Sequence, residues 1–285
     1  MTLHLGIDAG GSHTRAVLAD RTGTVLGRGA APGANPAGGD PGTALAHLAA
    51  AATAALGGRP PGAVAGCAIG LAGHRALPDP AAFAERCRAA LRLDVPVLLV
   101  PDTVPALASG GVADGTGTVL IAGTGAICVR LDAGRTADRR GGLGWLLGDE
   151  GSGFWLGSQA LRRAHARPGG PLGGLVRAHC AADTPDGLLR WAYAGPPRRL
   201  AELAAPVCAL AAAGDPDARA LTDRAADHLA ALVRATARPG APLVLSGSVA
   251  ASPGPLRDRL TDLLADLSPR FPRTDPAAAA AALAH

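Results

Sequence analysis

The sequence predicts an α/β protein made of two related domains, and three observations carry that prediction. An apolar run, a glycine-hydroxyl turn and a second apolar run open the chain at residues 3–20, and the same order recurs at 118–131. Each opening is followed by helical stretches alternating with short apolar runs, the pattern of strands covered by helices. The length of 285 residues, 48% of them hydrophobic and 18% charged, suffices for two cores of ordinary size.

The first hairpin reads LHLGIDAGGSHTRAVLAD. Its first strand ends in Asp8, and Gly10, Gly11, Ser12 and Thr14 lead into the second. Glycines suit a tight turn and expose backbone N–H groups, which with two hydroxyls make a concave nest for phosphate oxygens. Asp8, at the strand end beneath that nest, is placed to hold a hydrated Mg²⁺ bridging the phosphates. The turn is not a Walker A loop, which needs a lysine, and the chain contains none. Val25 to Ala30 is a third antiparallel strand. The loop APGANPAGGD follows, with Asn35 just before a proline. Asp40-Pro41 opens a helix to about Leu56, ended by Gly57, Gly58 and Pro60-Pro61. Val64 to Leu71 is a buried strand running into Ala72-Gly73-His74. Asp79-Pro80 caps a helix to about Leu91, and Val97 to Val100 leads to Pro101-Asp102-Thr103.

In the second half, Thr118 to Ala122 and Ala126 to Leu131 flank Gly123-Thr124-Gly125. The densest glycine stretch, GGLGWLLGDEGSGFWLGSQAL, spans 141–161 and turns helical from about Ser152. Residues 173–237 read as a mostly helical block whose longest member starts at Asp215-Pro216. Leu243 to Ser246 is a last buried strand, closed by Gly247-Ser248-Val249. A helix around 256–267 and an Ala-rich helix after Asp275-Pro276 finish the chain.

Composition narrows the function classes. The net charge of +4 comes from arginines scattered in ones and twos, without a basic stripe or interleaved aromatics, which speaks against nucleic acid as a partner. Five widely spaced cysteines without C-x-x-C argue for a reducing compartment and small buried core residues, not for a disulfide framework or a zinc site. No apolar run approaches the roughly 18 residues of a membrane span. The expectation is a soluble cytoplasmic protein with no membrane partner.

Five motifs in register, DAGGSHT at 8–14, PDT at 101–103, AGTGAI at 122–127, GWLLGDEGSGFWLG at 144–157 and LSGSVA at 245–250, run along essentially the whole chain. In this order they resemble the acetate and sugar kinase/Hsp70/actin superfamily, and within it the BadF/BadG/BcrA/BcrD-type ATPases that include N-acetylglucosamine kinases. The resemblance implies two duplicated ribonuclease H-like (actin-like ATPase) domains with an interdomain cleft that closes over a nucleotide. The first would cover 1–112 with a terminal helix at about 275–285, and the larger second 113–274. It implies ATP and Mg²⁺ as cofactors, a small sugar as substrate, and a homodimer. By the same carry-over Gly10, Gly11, Ser12 and Thr14 form the first phosphate loop and Gly123, Thr124 and Gly125 the second, with Gly247 and Ser248 against the adenosine. Asp8 is the metal ligand and Asp102 the catalytic base. Asn35, Gly73, Asp102, Gly142, Gly144 and Asp149 bind the sugar. The activity implied is phosphorylation of an amino sugar, N-acetyl-D-glucosamine to its 6-phosphate, with glucosamine or N-acetylmuramic acid as alternative substrates.

Residue chemistry supports these roles on its own terms. Phosphoryl transfer to an alcohol needs in-line positioning, neutralised phosphate charge and a carboxylate to take the proton. Asp102 follows a buried strand that can aim it, although Asp before Thr-Val-Pro is also a good helix cap. Asp149 is flanked by glycines that let a substrate approach, whereas Glu150 reads as charge at a helix start. Trp145, Phe154 and Trp155 fit equally a pocket wall and a core cluster. The sequence departs from the family's pattern at Leu143, where an aromatic is usual, at Ala126-Ile127 and at Pro101, which bears on the choice of sugar. Two other readings keep the fold: an iron–sulfur activator, which needs cysteines in exposed loops, and a sugar sensor without catalysis.

Overall fold

The computed structural model describes residues 2–36 and 40–284. Residues 37–39 of the loop expected at 31–40, and His285 of the expected terminal helix, lie outside them. In chain order the elements are β1 (Leu3–Ala9), β2 (His13–Asp20), β3 (Val25–Pro32), α1 (Pro41–Leu56), β4 (Val64–Leu71), α2 (Pro80–Leu91), β5 (Val97–Pro101) and α3 (Thr103–Ser109). They continue with β6 (Gly117–Ala122), β7 (Ala126–Asp132), β8 (Arg135–Gly141), α4 (Gly153–Ala166), α5 (Gly170–Cys180), α6 (Pro185–Tyr193), α7 (Ala204–Ala212) and α8 (Pro216–Arg234). The last are β9 (Leu243–Ser246), α9 (Ser248–Ala251), α10 (Pro255–Leu263) and α11 (Pro276–Leu283). Two compact units result, Met1–Gly115 with Pro272–His285 and Thr116–Phe271.

Unit 1 is a five-stranded sheet in the order β3-β2-β1-β4-β5. β1 to β3 run antiparallel, while β4 and β5 lie parallel to β1. Side chains alternate across β1. Leu3, Leu5, Ile7 and Ala9 enter the core shared with α1 and α2, and His4, Gly6 and Asp8 point to the other face. Because aromatics are scarce, helices must come close to the strands to fill space, and small residues let them. A Cβ at Gly29 would lie 2.0 Å from the Ala51 carbonyl of α1, and one at Gly6 would lie 2.0 Å from the Ala277 carbonyl of α11. The C-terminal helix therefore belongs to the first unit and covers its second face, with Val17 and Ala19 packed on Ala277 and Ala281.

Unit 2 repeats the scheme with the order β8-β7-β6-β9, β9 parallel to β6. Beside β9 an isolated parallel bridge, Val244 to Arg270, takes the place β5 has in unit 1. Helices α4, α5, α7 and α8 with α10 enclose the larger core, which includes Leu156, Leu203, Leu229 and Leu260. β8 was not anticipated from the sequence, since its residues RTADRRG form no apolar run. It is an edge strand, where charge blunts the unpaired backbone.

Four Asp-Pro pairs open helices as their chemistry predicts. The carboxylates of Asp40, Asp79, Asp215 and Asp275 accept from amides in the first turn, with proline next, where a missing N–H costs nothing. Cys67, Cys87, Cys128 and Cys180 are buried, and burial pushes the first three thiols up to about 12. Among the described residues no helix is long and apolar enough to cross a membrane.

Candidate active site

In unit 1 the expected site residues Asp8, Gly73 and Asp102 lie at the carboxyl ends of the three parallel strands, the edge where open α/β sheets commonly bind ligands. Asp8 is the penultimate residue of β1, Gly73 follows β4, and Asp102 follows β5. Backbone bonds fix these ends to one another: Ala72 donates to the Ala9 carbonyl at 2.8 Å, and Asp102 donates to the Leu71 carbonyl at 3.3 Å.

Asp102 caps α3 in position only, because its carboxylate makes no capping hydrogen bond. Burial raises its carboxyl to about 6, against the pull of the Thr103 amide and its own. Asp8 goes further, to about 7. Burial is the main cause, the charge of Asp102 adds to it, and Asp275 adds a little more, while Arg15 opposes. Arg15 is the cross-strand partner of Asp8 on β2, and its guanidinium lies 4.0 Å from the carboxylate.

The turn above Asp8 differs from the expectation in its reasons. Gly10 donates to the His13 carbonyl at 2.9 Å, but neither Gly10 nor Gly11 has positive φ, so the turn itself does not demand them. A Cβ at Gly11 would meet nothing within 4 Å, so what glycine leaves there is open space. Thr14 corrects the expected hydroxyl pair. It is fully buried, and its hydroxyl donates to the Pro32 carbonyl at 2.9 Å, so it holds β2 to β3 and does not face a ligand. Sequence reasoning passed over Gly33. Its amide donates to the Ser12 carbonyl at 2.9 Å and the next amide, Ala34, donates to the Gly10 carbonyl at 3.2 Å. A Cβ there would sit 2.2 Å from the Gly11 carbonyl oxygen. That close approach carries Asn35 to the rim of the glycine turn. The signal lay in the sequence as a glycine two residues before Asn35.

In unit 2 the β6–β7 turn and the start of α9 lie together. Gly123 donates to the Gly125 carbonyl at 3.0 Å, closing the turn. A Cβ on Gly123 would come within 3.9 Å of the Ser248 hydroxyl, and one on Gly247, at φ +87°, would come within 2.3 Å of the Ala122 carbonyl. The amino end of α4 docks on the same turn, Gly153 donating to the Gly123 carbonyl at 2.7 Å and Phe154 to that of Thr124 at 3.0 Å.

Asp149 ties the glycine-rich loop to this turn. It is buried, adopts φ +66°, and its Oδ1 accepts from the Ala126 amide at 3.0 Å. Gly125 makes room for it, since a Cβ there would come within 2.9 Å of Oδ2. Burial raises its carboxyl, the Ala126 amide pulls the other way, and Glu150 adds slightly to the rise. Gly142 does not face open space: with φ +64° it lies where a Cβ would meet Ile127 at 2.7 Å. Gly144 is open, with nothing within 4 Å. Between and beyond them stand Leu143, Trp145, Leu146 and Leu147, all large, apolar and at least half exposed. The aromatic cluster divides. Trp145 packs on Phe154 with centroids 5.7 Å apart, while Trp155 meets His228 edge-on and the Arg224 guanidinium on α8.

A profile of the BadF/BadG/BcrA/BcrD ATPase family matches residues 5–274. The chain belongs to that family. The fold is shared with solved proteins along its whole length. One is a candidate N-acetylglucosamine kinase from Chromobacterium violaceum, 26% identical, covering 99% of both chains at a TM-score of 0.73. Another is a candidate N-acetylglucosamine kinase from Porphyromonas gingivalis, 23% identical, covering 99% of this chain and 97% of the other at 0.81. A curated N-acetylmuramic acid/N-acetylglucosamine kinase of Clostridium acetobutylicum is 45% identical over 69 residues, which is 24% of this chain. The match spans 22% of that relative's length. The fold is thus that of the actin-like ATPases and sugar kinases, and the family is one of ATPases.

Proposed function

We propose that this chain is an ATP-dependent kinase of an amino sugar, converting N-acetyl-D-glucosamine to its 6-phosphate. The observation that carries the reading is the pair of acids at the ends of β1 and β5, Asp8 and Asp102, on either side of β4 at one edge of the sheet, in a chain of an ATPase family. Both carboxyls are raised, to about 7 and about 6, into the range where a group can take up and release protons near neutral pH.

In this reading Asp102 takes the proton of the sugar's C6 hydroxyl as that oxygen attacks the γ-phosphorus. The bond to the β–γ bridging oxygen breaks, and ADP leaves. The glycine turn, closed by the Gly10 amide on the His13 carbonyl and open at Gly11, receives phosphate oxygens at Gly11 and Ser12. Gly123, Thr124 and Gly125 receive the others, and Gly247 and Ser248 lie along the adenosine. The residues present fit a magnesium ion, which takes oxygen ligands and is held by one or two carboxylates with substrate phosphates. Asp8 is such a ligand, because a carboxylate destabilised by burial and neighbouring acids gains from a nearby cation. When bound, the ion supplies charge neutralisation on the phosphates. Asn35, at the rim of the first turn, and Gly73 contact the sugar, and Asp149 holds a ring hydroxyl with the oxygen not engaged by Ala126. Leu143 and Trp145, across the open Gly144, cover the acetamido methyl. The enzyme works in the cytoplasm as a homodimer.

The curated relative's name favours N-acetylmuramic acid as a second substrate. A coupled ADP-release assay over N-acetylglucosamine, N-acetylmuramic acid, glucosamine and glucose decides among them. Turnover should be highest with N-acetylglucosamine, and absence of turnover with every sugar would overturn the reading. Asp102→Asn keeps shape but cannot take the proton, so kcat should fall by about 10² or more while sugar affinity changes little. Near-normal turnover in that variant would make Asp102 merely the residue before α3.

A further inference from the structure

Among the described residues the two largest groups of exposed apolar side chains both lie in unit 2. Leu143 to Leu147 belong to the loop already assigned to the sugar. Leu189 and Tyr193 on α6, 43% and 87% exposed, have no part in that site. Tyr193 is the chain's one tyrosine.

α6 is firmly seated. Leu188 and Trp191 are buried in the unit 2 core, and the Arg199 guanidinium stacks 4.2 Å from the Trp191 ring while donating to its carbonyl at 3.1 Å. Thr184 caps the helix through the Gly187 amide at 3.1 Å. Its outer face is one stripe, Asp186, Leu189, Arg190 and Tyr193, at the spacing i, i+3, i+4, i+7. All four are exposed. Asp186 and Arg190 are one turn apart and of opposite charge, yet neither makes an ion pair among the described residues.

We propose that this stripe is the contact between two copies of the chain, α6 packing antiparallel on α6 about a two-fold axis. The inference gives a surface to the homodimer proposed above and does not depend on the kinase chemistry. A two-fold contact must be self-complementary, residue i meeting j while j meets i. With the axis between Leu189 and Arg190, Asp186 faces Tyr193 of the second copy, and the second Arg190 lies within a turn of it. The Arg190 stem covers the second copy's Leu189. Each acid thus gains a phenol and a guanidinium, and the apolar centre is closed by the two leucines and the arginine stems. Tyrosine and arginine are the residue types that carry most binding energy at such contacts. Charges one turn apart that ignore each other within the helix have in this pairing the partner each lacks. The exposed Pro196 and Pro197 just beyond the helix extend the apolar rim.

Sedimentation equilibrium of the full chain in the micromolar range tests it, with circular dichroism melting to confirm folding. The wild type should be a dimer. Tyr193→Ser should weaken dimerisation by about 10-fold or more, since a two-fold contact loses each residue twice. Asp186→Arg and Arg190→Asp should each weaken it by a similar factor, and the double exchange should restore it to within about 3-fold. Rescue by the double exchange is an outcome that only pairing of this face with itself yields. A wild-type monomer at every concentration, a dimer indifferent to Tyr193, or single exchanges without rescue would overturn the inference. Sugar phosphorylation by the monomeric Tyr193→Ser chain should persist. Should no form phosphorylate any sugar while the dimer behaves as stated, the kinase reading fails and this one stands.

Discussion

Asp8→Asn isolates the cost of placing a carboxylate where phosphates would bind. Burial and the neighbouring charges raise the Asp8 carboxyl from 3.8 to about 7. Because the folded value lies above the unfolded one, the native state favours the protonated acid. Stability linked to this group is complete below pH about 4 and is lost as pH rises toward 7. The interval from 3.8 to about 7 corresponds to roughly 4 kcal/mol. Partial access to water, with 19% of the side chain exposed, brings the expected figure to about 2–4 kcal/mol. Asparagine keeps the shape without the charge. Urea denaturation followed by circular dichroism should therefore find the variant about as stable as wild type at pH 4 and more stable by that amount at pH 8, while sugar phosphorylation is lost. An equal difference at the two pH values, or a variant less stable at pH 8, would refute the assignment of the cost to ionised Asp8.

Three further outcomes follow from close contacts and exposed side chains. Gly33→Ala forces a Cβ to within 2.2 Å of the Gly11 carbonyl, so the Asn35 loop must pull away from the glycine turn. Its kcat/KM should fall by about 10-fold or more, read in the ADP-release assay. Leu143→Ser removes an exposed apolar cover, and N-acetylglucosamine should lose about 10-fold in kcat/KM relative to glucose; equal losses would remove Leu143 from the acetamido side. Gly6→Ala drives a Cβ to 2.0 Å from the Ala277 carbonyl, and α11 must lift. The cost should be about 1–3 kcal/mol, with hydrogen exchange accelerated across 276–283.

Helix starts were legible because their chemistry is local. Each of the four Asp-Pro pairs supplies a cap and a residue preset for the first turn, and no distant contact is needed to read them. Buried strands such as 64–71 and 243–246 were legible as apolar runs between turn residues. β8 was not, because an edge strand needs no apolar run and its charges resemble a loop. Within the candidate site, motif order singled out Asp8, Asp102 and the two glycine turns as the residues to examine. Side-chain direction was not readable there. Thr14 and Ser12 look alike in the sequence, yet one hydroxyl is spent inside the sheet. Gly142 and Gly144 look alike too, yet Ile127 fills the space beside one of them. Gly33 went unnoticed because its meaning depends on a backbone twenty-odd residues earlier, a relation periodicity cannot express.

The docking of α11 on β1 has a consequence for the order in which the protein can form. A ribosome delivers β1 through α3 first, and these carry all five strands of the first sheet. Part of one face of that sheet, where Gly6 and Gly66 offer bare backbone to the helix, stays uncovered while the entire second unit is synthesised, α3 covering only the side of that face where Pro105 packs on Gly70. Unit 2 is one uninterrupted segment and can finish during synthesis, as domains commonly do. Unit 1 can close only when residues 276–283 emerge. The amino-terminal half, though first made, is the last to be completed, and a chain interrupted after unit 2 would leave its first sheet half covered and open to aggregation.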